Sequence, residues 1–415
     1  MSVDKLSSIV LDNGSGCIKA GLSLQESPSF VFPSVVGTHK VLAMRAYFPR
    51  SKFCAHEAIS KRAMLVLKYP IEHGVVTDWD NMEELWHHTF YDQLHVYPEE
   101  HSLLITEPPL NPKTNREKTT QIMFETFNTP KLYVSNTSQL ALYASGRCTG
   151  IVIDSGEGVT YSVPVFNGHI QTDSILRLDI AGRDITDYLM KIFCEENPTF
   201  FLHNSINKPL INTISKMKES LAFVSNDFGC DLEKSYASAE FERAYTLPDG
   251  AHLATIAGER FRCVEPLFNP SLIGQEYSGI HDLAYNSITK CDNEIQQYLY
   301  GNIVLSGGNT LFPGMAERVH KEMSKLAPHN TRINVMSPSD RKYSSWIGGS
   351  LLARSDHFDR MCISRFDYDE YGSSLIHRKS YFIDVNQTTH TQPEGLEDIY
   401  TRMDSDNIFI WILGY

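Results

Sequence analysis

The sequence lacks the features that mark secreted, membrane-spanning and general nucleic-acid-binding proteins. Its eight cysteines form no Cys-x-x-Cys pair, and several lie in apolar stretches (Cys17, Cys148 and Cys194). We therefore expect reduced, mostly buried thiols rather than disulfides or zinc ligands. No apolar run approaches the ~20 residues of a membrane span, and the N-terminus lacks a signal-peptide pattern. The net charge of −13 argues against direct nucleic-acid binding through a basic surface.

What the sequence does contain is one motif in two copies. Residues 9–16 read Ile-Val-Leu-Asp-Asn-Gly-Ser-Gly, and residues 151–159 read Ile-Val-Ile-Asp-Ser-Gly-Glu-Gly-Val. Each predicts a strand, an aspartate at its end and a tight turn. Glycine lets backbone N–H groups approach a phosphate, and the aspartate suits a hydrated Mg²⁺. A single copy could be an ordinary hairpin turn, but two copies favour an ATP–Mg²⁺ clamp between two halves of the molecule.

Length and element order predict an α/β protein with two related halves. A chain of 415 residues is long for one hydrophobic core, and strand clusters alternate with helices twice. Two further features could contact phosphate. Lys19 follows the first turn, although a surface lysine fits the spacing equally well. Gly307-Gly308 ends a buried strand and opens onto a helix from Gly314, where a simple strand–helix turn is the alternative.

Long stretches of the chain resemble the actin family. The resemblance extends from about Val10 to Lys379 and rests on specific motifs rather than on composition. The matching stretches include Leu11-Asp12-Asn13-Gly14-Ser15-Gly16, Lys68-Tyr69-Pro70-Ile71-Glu72-His73-Gly74, Trp86-His87-His88-Thr89-Phe90-Tyr91, Gln121-Ile122-Met123-Phe124-Glu125-Thr126-Phe127-Asn128, Ala181-Gly182-Arg183-Asp184, Arg341-Lys342-Tyr343 and Trp346-Ile347-Gly348-Gly349-Ser350.

The resemblance implies the actin/sugar-kinase/heat-shock-chaperone ATPase fold, with two related halves around a central nucleotide cleft. It also implies ATP or ADP with Mg²⁺ or Ca²⁺, and head-to-tail polymerisation. The implied domains are an outer half (1–144 plus 344–381, with 33–69 as a small loop-bearing subdomain), an inner half (145–343, with 181–275 as its outer subdomain) and a C-terminal extension (382–415).

Carried over residue by residue, the family's site falls on three groups of positions. Asp12 and Asp154 would flank the metal. Thr137 and Tyr161 stand at the places that position the hydrolytic water. The nucleotide contacts implied are Gly14, Ser15, Gly16, Lys19, Gly156, Glu157, Gly158, Val159, Gly182, Lys218, Glu219, Gly307, Gly308, Phe312 and Lys342.

Departures from the family pattern bear on hydrolysis. Thr137 replaces a glutamine, Tyr161 replaces a histidine, and Glu157 replaces an aspartate. Threonine is too short to reach as glutamine does, and tyrosine is a poor base at neutral pH. In-line attack on the γ-phosphate needs a positioned water, so we expect ATP binding to be retained and hydrolysis to be slowed. The alternative is that Ser135, Asn136 or a neighbour compensates.

Other departures bear on assembly. The basic loop at 38–53 lacks the family's glycine- and methionine-rich sequence, and the plug segment Leu272-Ile273-Gly274-Gln275 ends in glutamine. The N-terminus (Met1-Ser2-Val3-Asp4-Lys5) lacks a run of acids, and Gln25 stands where an acid is usual, so weak or absent myosin activation is expected. The extension 382–415 is expected to be flexible, polar and acidic, with an apolar end at 408–415.

Two functional interpretations follow. The first is an ATP-binding, actin-like cytoskeletal protein that forms filaments itself or copolymerises with actin. The alternative is a non-polymerising subunit of a larger complex, of the dynein-activator or chromatin-remodelling type; a small-molecule kinase is the weakest interpretation. Actin-binding proteins are expected at a cleft near Tyr143, Gly146 and Cys148. The expected location is the cytoplasm and cytoskeleton, with the nucleus possible.

Overall fold

The computed structural model describes residues 7–40, 50–197, 210–246 and 253–379, and it confirms a mixed α/β architecture. The strands are β1 Ile9–Asn13, β2 Cys17–Leu22, β3 Phe30–Pro33, β4 Val36–His39, β5 Lys52–Cys54, β6 Leu65–Lys68, β7 Ile71–Glu72, β8 Val75–Val76, β9 Leu103–Glu107, β10 Lys131–Asn136, β11 Gly150–Ser155, β12 Thr160–Phe166, β13 His169–Ile170, β14 Leu176–Leu178, β15 Arg243–Thr246, β16 Leu253–Ile256, β17 Ile303–Ser306, β18 Val335–Met336 and β19 Ile363–Ser364.

The helices fall close to the segments predicted from hydrophobic periodicity. The expected helix at 113–127 spans Lys113–Glu125, and the one at 208–224 spans Leu210–Leu221. The α-helices are Ala55–Ser60, Trp79–His87, Lys113–Glu125, Thr137–Ala144, Gly182–Glu196, Leu210–Leu221, Phe228–Ala237, Glu259–Arg262, Ile280–Thr289, Asn293–Tyr300, Met315–Leu326, Ser344–Arg354, Phe358–Met361, Arg365–Tyr371 and Ile376–Lys379.

The chain divides into two compact units. The first includes the chain up to Val152, Pro164–Thr172 and the chain from Tyr343, and the second consists of Ile153–Val163 and Asp173–Lys342. The subdomain boundaries expected from the resemblance remain a prediction.

The sheet of the first unit is buried on both faces. Its strand order is β19-β10-β9-β1-β2-β3, with β1 antiparallel to β2 and parallel to β9. Ile9, Val10 and Leu11 are all fully buried. Because side chains alternate along a strand, Ile9 and Leu11 enter one core cluster, while Val10 packs in another with Leu140 and Trp346. An uninterrupted apolar run is therefore what this central strand requires.

A second sheet carries the second copy of the motif. Its order is β13-β12-β11-β17-β18, and β14 pairs antiparallel with β12. Strand β11 has the buried run Ile151, Val152 and Ile153, and β17 is buried throughout. The aspartate and the turn follow directly from this buried strand, as they do in β1.

The cysteine prediction was only partly correct. All eight cysteines are free. However, Cys17, Cys148 and Cys194 are only partly buried, and Cys230 is exposed. Cys17 is the first residue of β2, and Cys194 lies in the last turn of the helix Gly182–Glu196.

Candidate functional site

The first turn holds its aspartate in a defined set of contacts. Asp12 is 3% exposed and lies directly opposite Lys19 in the antiparallel pair of β1 and β2. The Lys19 Nζ is 2.6 Å from Asp12 Oδ2, and the Thr106 hydroxyl donates to Asp12 Oδ1 at 2.8 Å. Lys19 thus contacts the carboxylate from one side, and the adjacent strand β9 supplies the other contact.

The backbone of this turn is packed tightly enough to need glycine. The Gly14 N–H donates to the Cys17 carbonyl at 3.2 Å, and a Cβ on Gly14 would stand 2.8 Å from that oxygen. The Ser34 hydroxyl donates to the Gly14 carbonyl at 2.6 Å. The Gly74 N–H donates to the Ser15 hydroxyl oxygen at 2.8 Å, which leaves the Ser15 hydrogen to donate elsewhere.

The second turn is built onto the start of a helix. The Gly156 N–H donates to the Val159 carbonyl at 3.1 Å, which closes the turn. The Gly182 N–H then donates to the Gly156 carbonyl at 3.0 Å, and the Arg183 N–H donates to the Glu157 carbonyl at 2.9 Å. The first N–H groups of the helix Gly182–Glu196 are therefore used to fix the turn.

Glu157 packs against Gly182 and Lys218. A Cβ on Gly182 would overlap the Glu157 carboxylate, so this glycine makes room for the longer acidic side chain. The Lys218 side chain is 3% exposed, and its Nζ donates to the Gly182 carbonyl at 2.7 Å and lies 3.9 Å from Glu157 Oε2. Burial raises the pKa of Glu157, and the charges of Lys218 and Arg183 partly oppose that rise. Glu219, which follows Lys218 in the chain, is exposed.

The loop after β17 lies directly against the second turn. Gly307 has φ 85°, and a Cβ there would overlap the Ser155 carbonyl and stand 2.8 Å from Asp154 Oδ1. Gly308 faces open space, with no atom within 4 Å of the position of its missing Cβ. The Asn309 amide donates to the Gly156 carbonyl at 2.7 Å. The following helix, Met315–Leu326, begins next to Gly314, as predicted.

Thr137 and Tyr161, the positions at which the resemblance implies water positioning, lie on different kinds of element. Thr137 is the first residue of the helix Thr137–Ala144, where the Asn136 Oδ1 accepts from the N–H groups of Ser138 and Gln139. The Asn136 side chain therefore caps this helix. Because its oxygen is used in that way, Asn136 is poorly placed to compensate for the glutamine that Thr137 replaces. The Ser135 hydroxyl is buried without a hydrogen-bond partner in the described part of the chain. Tyr161 is 2% exposed, on strand β12.

Gln139 lies two residues after Thr137, and its side-chain amide already forms two hydrogen bonds. Its amide nitrogen donates to the Tyr143 hydroxyl at 3.0 Å and to the Gly168 carbonyl at 2.9 Å. Tyr143 is 8% exposed, Cys148 is partly buried, and Gly146 has φ 73°. This region is where the resemblance implies a surface for actin-binding proteins, which stays a prediction.

Within each unit the structure brings most of the predicted residues together. In the first unit, Asp12, Gly14, Ser15 and Lys19 belong to one hairpin. In the second, Glu157, Gly182 and Lys218 are in contact. Gly16 belongs to the first turn and Gly158 to the second. Phe312 is 6% exposed, and Lys342 is partly exposed.

Sequence reasoning missed three residues that support the turns: Thr106, Ser34 and Asn309. Asn309 directly follows Gly307-Gly308, so its position was a usable signal. Thr106 and Ser34 come from other strands and carry no local pattern.

The carboxylate oxygens at the two turns suit a metal ion that keeps most of its water ligands. Among the described residues, no three or more His, Cys, Asp or Glu side chains form a metal-binding cluster. A magnesium ion bound through one or two carboxylates, waters and substrate phosphates needs no such cluster. Asp12 and Asp154 are each the next-to-last residue of a buried strand that leads into a glycine turn, and a carboxylate at such a turn fits that mode of binding.

The family model described as Actin matches residues 3–381. Since this is most of the chain, the protein belongs to the actin family, and its fold is the actin ATPase fold. Members of this family generally bind a nucleotide together with a divalent cation. In the described ranges, no helix combines the length and apolarity needed to cross a membrane.

Several assembly predictions concern residues outside the described ranges. The N-terminus (Met1–Lys5), most of the loop at 38–53 and the extension 382–415 fall there. The plug segment is described: Leu272 and Ile273 are partly buried, and Gln275 is exposed.

Proposed function

We propose that this chain is an ATP-binding, actin-like cytoskeletal protein, acting as a filament subunit by itself or with actin, and that it hydrolyses ATP slowly. The observation that carries the proposal is the pair of turns at Asp12 and Asp154. Each follows a buried strand, and each is associated with a glycine, Gly14 or Gly307, at which a Cβ would collide with backbone. Glycine turns of this kind can present backbone N–H groups to phosphate oxygens. The N–H groups of Gly14 and Gly156 themselves close their turns.

The residues proposed to hold ATP or ADP are Gly14, Ser15, Gly16 and Lys19 from the first turn, Gly156, Glu157, Gly158 and Val159 from the second, and Gly182, Lys218, Glu219, Gly307, Gly308, Phe312 and Lys342 from the later segments. Asp12 and Asp154 would hold the hydrated Mg²⁺ or Ca²⁺. Lys19 would exchange its contact with Asp12 for a phosphate oxygen, because a cation near Asp12 weakens the attraction between the two side chains.

Slow hydrolysis is supported by the side chains around Thr137. A threonine hydroxyl cannot extend as far as a glutamine amide, and Asn136 and Gln139 are both engaged in other hydrogen bonds. Loss of one positioning group costs on the order of 10²-fold in rate. We therefore expect phosphate release well below that of ordinary actin.

Nucleotide content of the purified protein tests the binding proposal. We expect bound ATP or ADP after gel filtration in Mg²⁺, and Asp154→Asn should lower nucleotide affinity at least tenfold. Asp173→Asn, at an exposed residue of the same unit, is the matched control. A wild-type chain without nucleotide, or equal affinity in Asp154→Asn and the control, would contradict the proposal.

A second candidate function is a non-polymerising subunit of a larger complex. It is favoured by Gln275, an exposed polar residue at the end of the plug segment, where burial between filament strands would desolvate an amide. Sedimentation in Mg²⁺ and salt distinguishes the filament subunit from the non-polymerising subunit. A pelletable polymer supports the filament subunit, whereas a monomer that co-purifies with large partners supports the alternative.

A further inference from the structure

The Thr106 side chain ties the carboxylate of Asp12 to the backbone of the first turn. Its hydroxyl oxygen accepts a hydrogen bond from the Asn13 N–H at 3.1 Å, and the hydroxyl donates to Asp12 Oδ1 at 2.8 Å. Asp12 and Asn13 are the last two residues of β1, whereas Thr106 belongs to β9. A single hydroxyl therefore bonds both to the carboxylate and to the peptide N–H that follows it in the chain.

These two bonds leave the Thr106 hydroxyl with one orientation. The Asn13 N–H can only donate, so the hydroxyl hydrogen is directed to the Asp12 carboxylate. Thr106 is 5% exposed, and its branched Cβ restricts rotation about χ1. A hydrogen bond to a carboxylate is also stronger than one between neutral groups. The Asp12 carboxylate is therefore held in one direction by a side chain that has little freedom to turn.

The strand register explains why these two side chains meet. Strands β1 and β9 are parallel, and Leu11 lies opposite Ile105. The next residues of the two strands, Asp12 and Thr106, therefore lie side by side, on the same face of the sheet. The sheet, rather than the turn that follows it, sets the direction of the Asp12 carboxylate.

The other oxygen of Asp12 has a contact of a different kind. The Lys19 Nζ lies 2.6 Å from Asp12 Oδ2, and the Lys19 side chain is 14% exposed. An ammonium group is a point charge on a flexible stem, so it attracts the carboxylate without fixing its plane. In the proposed function Lys19 exchanges this contact for a phosphate oxygen, and the Thr106 hydroxyl then continues to hold Oδ1.

We propose that Thr106 is a positioning residue for the divalent cation, because it orients the Asp12 carboxylate toward the water ligands of bound Mg²⁺. The inference rests on the proposed function and deepens it, since it adds to the metal site a residue that acts through Asp12. Partners that hydrogen-bond to a metal-binding group typically contribute about 10–100-fold to metal affinity. The lower end of this range applies here, because a carboxylate that acts through water ligands binds the metal less directly.

The test measures the Mg²⁺ dependence of nucleotide affinity in Thr106→Val, which keeps the branched shape and removes the hydroxyl. Displacement of a fluorescent ATP analogue is followed over a range of Mg²⁺ concentrations and in EDTA, so the readout does not rely on hydrolysis. The Mg²⁺ concentration that gives half-maximal affinity should rise about tenfold, with the affinity in EDTA unchanged.

Thr120→Val is the matched control. Thr120 is fully buried in the helix Lys113–Glu125, and its hydroxyl donates to the Arg116 carbonyl at 2.8 Å. The control therefore loses a buried hydroxyl and its hydrogen bond without touching Asp12, and its Mg²⁺ dependence should equal that of the wild type.

Three further variants separate positioning from a general loss of stability. Thr106→Ser keeps the hydroxyl and should restore the wild-type Mg²⁺ requirement. In an Asp12→Asn background, Thr106→Val should change the Mg²⁺ requirement no further, because the hydroxyl acts through the carboxylate. Thr106→Ala, which adds no group to the site, takes the place of the valine variant if that variant does not fold, with the same expected result.

An unchanged Mg²⁺ requirement on loss of the Thr106 hydroxyl would overturn the proposal. An equal loss of affinity in Mg²⁺ and in EDTA would also overturn it, because that result indicates a structural role alone. A wild-type chain that binds no nucleotide, or whose affinity does not depend on Mg²⁺, would instead refute the proposed function, so the two failures are distinguishable.

Discussion

Replacing Gly348 with alanine should destabilise the first unit, against the usual trend for this substitution. Gly348 lies in the helix Ser344–Arg354, which packs on the helix Thr137–Ala144. A Cβ there would overlap the Leu140 carbonyl oxygen and stand 2.5 Å from its carbon and 3.0 Å from its Cα. Ordinary contacts of a Cβ are 3.4–4 Å, so the two helices would have to move apart to relieve the overlap.

The expected change in the free energy of unfolding is the sum of two opposing contributions. Glycine to alanine in a helix interior gains about 1 kcal/mol in helix propensity. Overpacking a tightly packed contact costs about 1–3 kcal/mol, and the upper end applies here because the obstacle is backbone. We expect a net loss of about 2 kcal/mol, which for a unit of roughly 200 residues lowers Tm by about 4–8 °C.

Thermal unfolding followed by near-ultraviolet circular dichroism measures this loss. Trp346, in the same helix, is fully buried and reports on the contact. Gly229→Ala is the matched control, since the nearest atom to its added Cβ is 4.0 Å away and the residue is also helical. A Tm for Gly348→Ala equal to or above that of the control would refute the argument.

Three other predictions concern hydrolysis, thiol reactivity and acid stability. Thr137→Gln, which restores the longer amide, should raise phosphate release by at least tenfold in a single-turnover assay with ATP-loaded protein; no increase would contradict the assignment of slow hydrolysis to this residue. Burial raises the pKa of Cys54 to about 12, so iodoacetamide at pH 8 should label the exposed Cys230 first and Cys54 only on unfolding, as read by mass spectrometry. Burial alone would raise the pKa of Glu322, but hydrogen bonds from a lysine and from Arg318 lower it. Its stabilising effect is therefore present at neutral pH and is lost as pH falls through the lowered pKa of Glu322, so Glu322→Gln should be less stable than wild type at pH 7 and this difference should shrink as the pH is lowered.

The motif that could be predicted best is the one with the clearest local pattern. Ile9-Val10-Leu11 predicted a buried strand because an apolar β-branched run has no polar face, and β1 is buried on both sides. The aspartate and the glycine turn follow from adjacent residues in the chain. Helix positions such as Lys113–Glu125 were also readable, since their apolar residues recur at helical spacing.

What could not be predicted depends on strand register and on distant partners. The sequence could not predict the ion pair between Lys19 and Asp12, because the hairpin register is what puts the two residues opposite each other. Thr106 reaches the same carboxylate from β9, 94 residues along the chain. The pairing of Tyr161 with Arg177 likewise depends on the register of β12 and β14, which no single segment encodes.

One hydrogen bond of Gln139 links the helix Thr137–Ala144 to the hairpin turn at Gly168. The Gly168 carbonyl accepts from Gln139, and the Gly168 N–H donates to the Cys148 carbonyl at 2.7 Å. A rotation of the helix that begins at Thr137 would therefore pull on the backbone at Cys148 through one residue. A protein bound to the surface at Cys148 would therefore oppose a rotation of that helix.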